Sequence, residues 1–276
     1  MRLITEETLR SMVRPRPEDG HKGTFGHALI VAGRYAMAGA SVLAAKGCMR
    51  SGVGKLTVHV PLRNNDILQL SVPEAILHHD VSDTHFTSPV ENLEPYQAVA
   101  IGPGIGTSAD TVKALGRQLS VLHDKPCILD ADALNCLSLS PSLLSLVPAW
   151  SILTPHPGEY ARLAADTPPA EFAGRHEVVL ALKGHPTRIY TPDGDCWQCP
   201  WGNSGMGTAG SGDVLTGVAA AMLAQGYTAV ESAVLSVSVH AMAGDAAAAA
   251  LGEHSLIASD IIDYLHAAFK RISGVA

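Results

Sequence analysis

Asn203-Ser-Gly-Met-Gly-Thr-Ala-Gly-Ser-Gly-Asp-Val-Leu-Thr-Gly217 runs straight into the small-residue pattern Val218-Ala-Ala-Ala-Met-Leu-Ala224. Five glycines surround a single carboxylate, Asp213, at the mouth of an expected helix. Free N–H groups at a helix start, with no Cβ atoms in the way, form a cradle for phosphate, and the helix dipole adds attraction for negative charge. An acid in such a cradle repels phosphate unless it acts on a neighbouring proton or faces a metal ion, so Asp213 reads as a base. Asp is also a preferred N-cap, and glycines precede many helices for conformational reasons, so a capping role stays open. Gly205, Gly207 and Gly210 spell a literal G-x-G-x-x-G. A dinucleotide fingerprint needs a buried strand before it and an acid about 20 residues after it. Here Cys196-Trp-Gln-Cys-Pro-Trp-Gly-Asn203 precedes, and Asp213 follows at once. Gly52-Val-Gly-Lys55 is no P-loop either, because Leu56 follows the lysine and Met49 stands where the first glycine belongs.

Upstream of this segment, apolar runs and helical patterns alternate. Ala28–Ala32, Leu56–Val60, Ala98–Ile101, Cys127–Leu129, Ser151–Leu153 and Val178–Leu182 read as buried parallel strands. Between the first two, Ala40, Leu43, Ala44, Gly47 and Cys48 form a helical stripe of small residues suited to packing on a sheet. Thr187–Thr191 and Cys196–Gln198, joined by Pro-Asp-Gly-Asp, read as a hairpin. Helices are expected over Val214–Gln225, Ala229–Leu251 and Ser259–Ile272, and an opening helix behind Thr5 as N-cap, ended by Pro15. The pattern predicts an α/β fold, a three-layer sandwich around a mostly parallel sheet, as one domain over residues 1–276.

Composition narrows the chemistry. With 47% hydrophobic and 16% charged residues in 276, a large core is within reach. No uninterrupted apolar run reaches about 18 residues, and the N-terminus lacks a signal-peptide block, so neither a membrane nor export is expected, and the cytoplasm is the expected location. The net charge is −7 and no Lys/Arg cluster appears, which argues against nucleic acid; a nucleotide would be held by backbone amides. Five cysteines, an odd number, read as reduced thiols. Cys196-x-x-Cys199 lacks both a second pair for zinc and a helix start for redox chemistry.

Ligands of open α/β sheets sit beyond the C-terminal strand ends. The residues there are Gly33-Arg-Tyr-Ala-Met-Ala-Gly-Ala40, Gly102-Pro-Gly-Ile-Gly106, Asp130-Ala-Asp-Ala-Leu-Asn135, Thr154-Pro-His-Pro-Gly-Glu159 and Lys183-Gly-His-Pro-Thr187. Asp130 and Asp132 suit a cation or a hydroxyl, though Asp132 equally suits a helix cap. Prolines on both sides of His156 fix its backbone, which favours a functional histidine over core filler. Lys183 offers a cation for a phosphate.

In this order, His21-Lys-Gly-x-Phe-Gly26, Met37-Ala-Gly-Ala40, Gly102-Pro-Gly-x-Gly106, Asp130-Ala-Asp-Ala-Leu-Asn135, Leu153-Thr-Pro-His-Pro-Gly-Glu159, Leu182-Lys-Gly184 and Asn203-x-Gly-Met-x-Thr-Ala-Gly-x-Gly-Asp213 resemble the ADP- or ATP-dependent NAD(P)H-hydrate dehydratases of the ribokinase-like superfamily. The resemblance implies repair of the S epimer of hydrated NADH or NADPH. The hydroxyl is phosphorylated by ADP or ATP, and phosphate then leaves, giving NAD(P)H, phosphate and AMP or ADP. It implies Asp213 as the base. It implies Ala40, Gly104 and His156, with Asp213, as contacts of the hydrated dinucleotide, and Lys183, Gly184, His185, Pro186, Thr187 and Gly212 as contacts of the nucleotide. Mg²⁺ is the expected cation, with ligands the sequence does not name, and a homotetramer the expected assembly. A stand-alone dehydratase is expected, since only about twenty residues precede His21, too few for the epimerase domain many relatives carry. Gly33-Arg-Tyr replaces the Gly-Ser usual after the first strand, Ser51-Gly-Val-Gly-Lys55 replaces a more usual Ala-Gly-Ala-Gly-Leu, and Ser211 stands where another small residue is frequent. A ribokinase-like hydroxymethyl kinase is the rival reading; it would share the glycine loop and Asp213 without needing both the Gly-Pro-Gly-x-Gly and His-Pro-Gly-Glu turns.

Overall fold

The structure, a computed structural model, describes residues 1–274. Its strands are β1 (Arg2–Leu3), β2 (His27–Val31), β3 (Lys55–Val60), β4 (Ile76–His79), β5 (Ala98–Ile101), β6 (Cys127–Leu129), β7 (Ile152–Leu153), β8 (Val179–Leu182), β9 (Thr187–Tyr190) and β10 (Cys196–Cys199). They form one ten-stranded sheet in the order β1-β10-β9-β8-β7-β6-β5-β2-β3-β4. Every pair from β4 across to β8 is parallel; β8–β9 and β9–β10 are antiparallel, and β1 returns parallel to β10. All six expected central strands are present, with ends shifted by a residue or so, and so is the hairpin. The sequence reading missed β4, an edge strand whose exposed Ile76 and paired histidines break any apolar run.

The helices are α1 (Glu6–Met12), α2 (Ala38–Met49), α3 (Asn65–Ser71), α4 (Ala109–Leu122), α5 (Asp132–Leu139), α6 (Pro157–Ala164), α7 (Pro169–Arg175), α8 (Ser211–Ala224), α9 (Ala229–Leu251) and α10 (Ala258–Ser273). Side-chain alternation along the strands sorts the core into two layers. Ala28, Ile30, Val58 and Ala100 pack in one cluster with α2, α8, α9 and α10. Leu29, Val31, Val99 and Leu129 pack in the other with α4, α5, α6 and α7. Each such fully buried aliphatic side chain stabilises by roughly 1.5–3 kcal/mol, although β3 also buries the polar Thr57 and His59. The three-layer α/β sandwich is thus the expected one. Helix α9 spans 23 residues and is long and apolar enough to cross a membrane by length and composition, yet 67% of its most apolar window is buried inside the protein. Its apolarity serves the core.

The small-residue stripe of α2 packs differently from expectation. It faces α8 rather than lying chiefly on the sheet, because glycines on both helices let the backbones touch. A Cβ on Gly47 would stand 2.7 Å from the Val214 carbonyl oxygen, and one on Gly217 would stand 2.0 Å from that of Ala44. No side-chain rotation relieves a clash with backbone. Gly217→Ala is therefore expected to destabilise the protein by about 3 kcal/mol, at the upper end of overpacking costs, despite the better helix propensity of alanine. Urea unfolding of the two proteins measures it. The contact sets where α8 begins, and with it the position of Asp213.

Candidate active site

Helix α8 starts earlier than the sequence pattern predicts, at Ser211 rather than Val214. Gly210 is its N-cap, with φ 90° and ψ −13°, and a Cβ there would stand 2.4 Å from Leu43 Cδ1. Only glycine enters the helix this way. Asp213 consequently lies in the first turn and is not the cap, which removes the structural reading of this residue. Its partly buried carboxyl is pushed up to about 7, first by burial and then by Asp130, with Lys183 opposing and Asp132 and Glu159 adding to the rise. A carboxylate poised near neutral pH, at the mouth of an amide cradle, has the property a general base needs.

Three strand ends supply its surroundings. Asp130, buried at the end of β6, accepts from Lys183 Nζ at 2.7 Å through Oδ1 and from Thr216 Oγ1 at 2.7 Å through Oδ2. Lys183, at the end of β8, also faces Glu159 Oε2 at 3.7 Å. Its charge is thus compensated within the protein, and attraction to Asp130 and Glu159 raises its pKa against the burial that lowers it. Lys183, which the sequence offers as a cation for a phosphate, lines the cavity described below while already paired with two carboxylates. His156 caps α6, its Nδ1 accepting from Gly158 N at 3.0 Å and Glu159 N at 3.3 Å, while Glu159 Oε2 accepts from His156 N at 2.8 Å. The flanking prolines serve this capping box, which leaves only the Nε2 edge of the ring for another partner. Asp132 does not cap α5 in the way the sequence allowed. Ala131 holds the cap position, and Asp132 Oδ2 accepts from Gly106 N at 2.8 Å.

A cavity of about 590 Å³ opens over this turn, and His156, Lys183, Gly184, His185, Thr187 and Gly212 all line it. Pro186 sits between two lining residues, behind a cis peptide bond. Trp201 and Met206 add an apolar wall. Ala40 and Gly104 meet outside that lining, where a Cβ on Gly104 would stand 2.9 Å from Ala40 Cβ. Two groups of predicted residues are therefore brought together separately, with Asp213 next to the first.

A family model for NAD(P)H-hydrate dehydratase matches residues 28–267. The chain belongs to the NAD(P)H-hydrate dehydratase family. A solved structure of the ADP/ATP-dependent NAD(P)H-hydrate dehydratase of Bacillus subtilis, co-crystallised with ATP/Mg²⁺, is 32% identical, with 98% of each chain covered and a TM-score of 0.85. A ribokinase-like superfamily protein of Enterococcus faecalis is 26% identical, covers 99% of this chain and 96% of its own, and has a TM-score of 0.84. The fold of this dehydratase-family chain is ribokinase-like. The bifunctional NAD(P)H-hydrate repair enzyme Nnr of Moorella thermoacetica is 37% identical over 96% of this chain but only 53% of its own length, so the chain spans about half of that relative.

Two anchors of the family member's glycine loop were not legible in the sequence. His240 Nε2–H, on α9, donates to the Ser211 carbonyl at 2.9 Å, and Asp245 accepts from Gly202 N at 3.0 Å and Asn203 Nδ2 at 2.9 Å. His240 sits in an apolar helix and reads as filler; Asp245 is a lone acid in an alanine run, whose need for a partner was the available signal. Burial pushes His240 down to about 4, so it is neutral near pH 7. A base whose pKa is depressed from 6.5 contributes stability that is whole above pH 6.5 and lost as pH falls toward 4, up to about 3 kcal/mol. His240→Gln is expected to flatten that part of the stability–pH curve, measured by urea unfolding from pH 4 to 7.

Proposed function

We propose that this chain carries out nucleotide-dependent dehydration of the S epimer of hydrated NADH or NADPH. The observation that carries the reading is Asp213, a carboxyl raised to about 7 in the first turn of a glycine-entered helix and beside a cavity of nucleotide size. A hydroxyl on a saturated ring carbon is a poor leaving group. Asp213 takes its proton as the hydroxyl oxygen attacks the terminal phosphorus of ADP or ATP, and the P–O bond to AMP or ADP breaks; the ring C–O bond then breaks as phosphate departs with its electron pair, the neighbouring ring carbon loses a proton to solvent, and the electrons of that C–H bond form the ring double bond. The amides at Gly210–Gly212 face the charge on the transferring group, a role suited to preorganised donors at a helix start. Trp201 and Met206 supply an apolar wall for a base, and His185 and Thr187 a polar rim. The Bacillus subtilis relative, named for the same reaction and co-crystallised with ATP/Mg²⁺, supports this reading over the hydroxymethyl kinase.

Mg²⁺ fits as an ion brought by the nucleotide. Among the described residues no group of three His, Cys, Asp or Glu forms a metal cage, whereas Mg²⁺ commonly rests on substrate phosphates and one or two carboxylates. Asp130 is the carboxylate beside the cradle, with Oδ2 3.6 Å from where a Cβ of Gly212 would lie. When bound, the ion would neutralise phosphate charge. The same reading takes the protein as a cytoplasmic homotetramer, supported on the assembly side by the exposed apolar Leu70, Ile76 and Val81 near the β4 edge.

The test offers the purified protein and Mg²⁺ either hydrated NADH or hydroxymethyl pyrimidine and thiazole acceptors, each with ADP and with ATP. Regained dihydronicotinamide absorbance with at least one donor is expected. Phosphorylation of a hydroxymethyl acceptor with no recovery of NADH would replace the reading with its rival.

A further inference from the structure

A second cavity, of about 510 Å³, lies on the other side of the β6 turn from the nucleotide cavity. The turn divides its two carboxylates between them: Asp130 stands beside Gly212, and Asp132 lines the second cavity with Arg34, Tyr35, Thr84, His85 and Ser108. Gly106, whose N–H binds Asp132, lies under the Arg34 side chain, since a Cβ there would stand 3.1 Å from Arg34 Cδ. Gly104, two residues earlier, meets Ala40 and Met37, so the Gly102–Gly106 turn runs from the expected dinucleotide contacts into the second cavity.

The walls are built rather than incidental. Asp80, fully buried, accepts from Ser82 N at 2.8 Å, Thr87 N at 2.9 Å, Thr87 Oγ1 at 2.5 Å, Ser88 N at 3.0 Å and His59 Nε2 at 3.0 Å. That one carboxylate fixes the loop bearing Thr84 and His85. The Thr84 carbonyl accepts from Tyr35 N at 2.6 Å, and the Arg34 carbonyl accepts from Met37 N at 2.8 Å, which ties the Arg34 loop to the same wall. The Arg34 guanidinium itself donates only to the Tyr35 carbonyl, at 3.3 Å, and among the described residues it has no carboxylate partner. An unpaired, always-charged fork beside a carboxylate suits a phosphorylated sugar: phosphate for the guanidinium, a free hydroxyl for the acid.

We propose that this cavity takes the adenosine end of the hydrated dinucleotide and that Arg34 binds its 2′-phosphate, so that the protein prefers NADPH hydrate to NADH hydrate. The inference rests on the dehydratase reading for its ligand. It assigns the position after β2, where this chain departs from the usual Gly-Ser, to substrate choice. One cavity then holds the phosphoryl donor, the other the far end of the acceptor, and the nicotinamide end lies between them at Asp213.

The experiment compares wild type, Arg34→Ala and Arg34→Lys in kcat/KM for the two hydrates, and in direct binding of NADPH and NADH by nucleotide fluorescence. Arg34 is exposed and holds only its neighbour's carbonyl, so folding is not at stake. The ratio of NADPH-hydrate to NADH-hydrate kcat/KM is expected to fall roughly 10- to 100-fold in Arg34→Ala, with Arg34→Lys intermediate and the KM for ADP or ATP unmoved. An unchanged ratio, or equal losses on both hydrates, overturns the assignment. If wild type turns over neither hydrate, the dehydratase reading has failed by itself. The cavity assignment then stands or falls on whether Arg34→Ala selectively weakens NADPH binding.

Discussion

Asp213→Asn is expected to lower kcat for hydrated NADH or NADPH by 10²- to 10⁴-fold, the range in which a positioned general base acts, while leaving the KM of the nucleotide within a few-fold. Asparagine keeps the shape and removes only the ability to take the proton. Steady-state kinetics on the two proteins measures this. The same substitution is expected to make the protein more stable at pH 8. A carboxyl raised from 3.8 to about 7 contributes stability that is whole below pH 3.8 and lost as pH rises through 7, because burial and Asp130 oppose its ionisation. Asparagine never ionises, so roughly 2 kcal/mol should return at pH 8, less than the full shift implies because Asp213 is only partly buried. A residue that loses activity and gains stability is one kept for chemistry. In wild type, kcat is expected to rise with pH through about 7 as the base ionises.

Lys183→Met should be the most damaging substitution for folding at the site. It strands Asp130, whose side chain is 1% exposed, with only the Thr216 hydroxyl as partner, and it removes the charge facing Glu159. Breaking a buried pair from one side typically costs about 3–5 kcal/mol, which in a chain of this size lowers Tm by roughly 10 °C. Differential scanning calorimetry measures that loss. A second readout separates electrostatics from packing. Lys183 holds the Asp213 pKa down against burial and three acids, so its removal should move the rising limb of the pH–rate profile to higher pH. Lys183→Arg, which keeps the charge, should retain much of the stability and leave the limb closer to its wild-type position.

Much of this was legible because buried parallel strands write themselves as apolar runs and because ligands gather at their ends. Ala28–Ala32 and Cys127–Leu129 are such runs, followed by Arg34 and Asp132 at the second cavity, and Val178–Leu182 is another, followed by Lys183 and Gly184 at the first. Asp213 was legible as a carboxylate within a glycine cradle, though only the start of α8 at Ser211 shows that it is not the cap. What escaped depends on contacts distant in sequence. Asp130 with Lys183 and Thr216, and His240 with Ser211, join elements through three-dimensional packing that no local periodicity encodes. The two carboxylate partners of Lys183 were not legible because they lie 53 and 24 positions away. The α2 stripe read as sheet-facing because small residues suit any close surface, and only Gly217 on the opposing helix decides which.

The most direct measurement follows regained dihydronicotinamide absorbance and freed phosphate together, with hydrated NADH, Mg²⁺ and each donor nucleotide. Phosphorylation before elimination predicts one phosphate per NADH restored, no recovery without a donor, and loss of both signals in Asp213→Asn. Recovery without nucleotide, or a phosphorylated product that accumulates and never yields NADH, would contradict it.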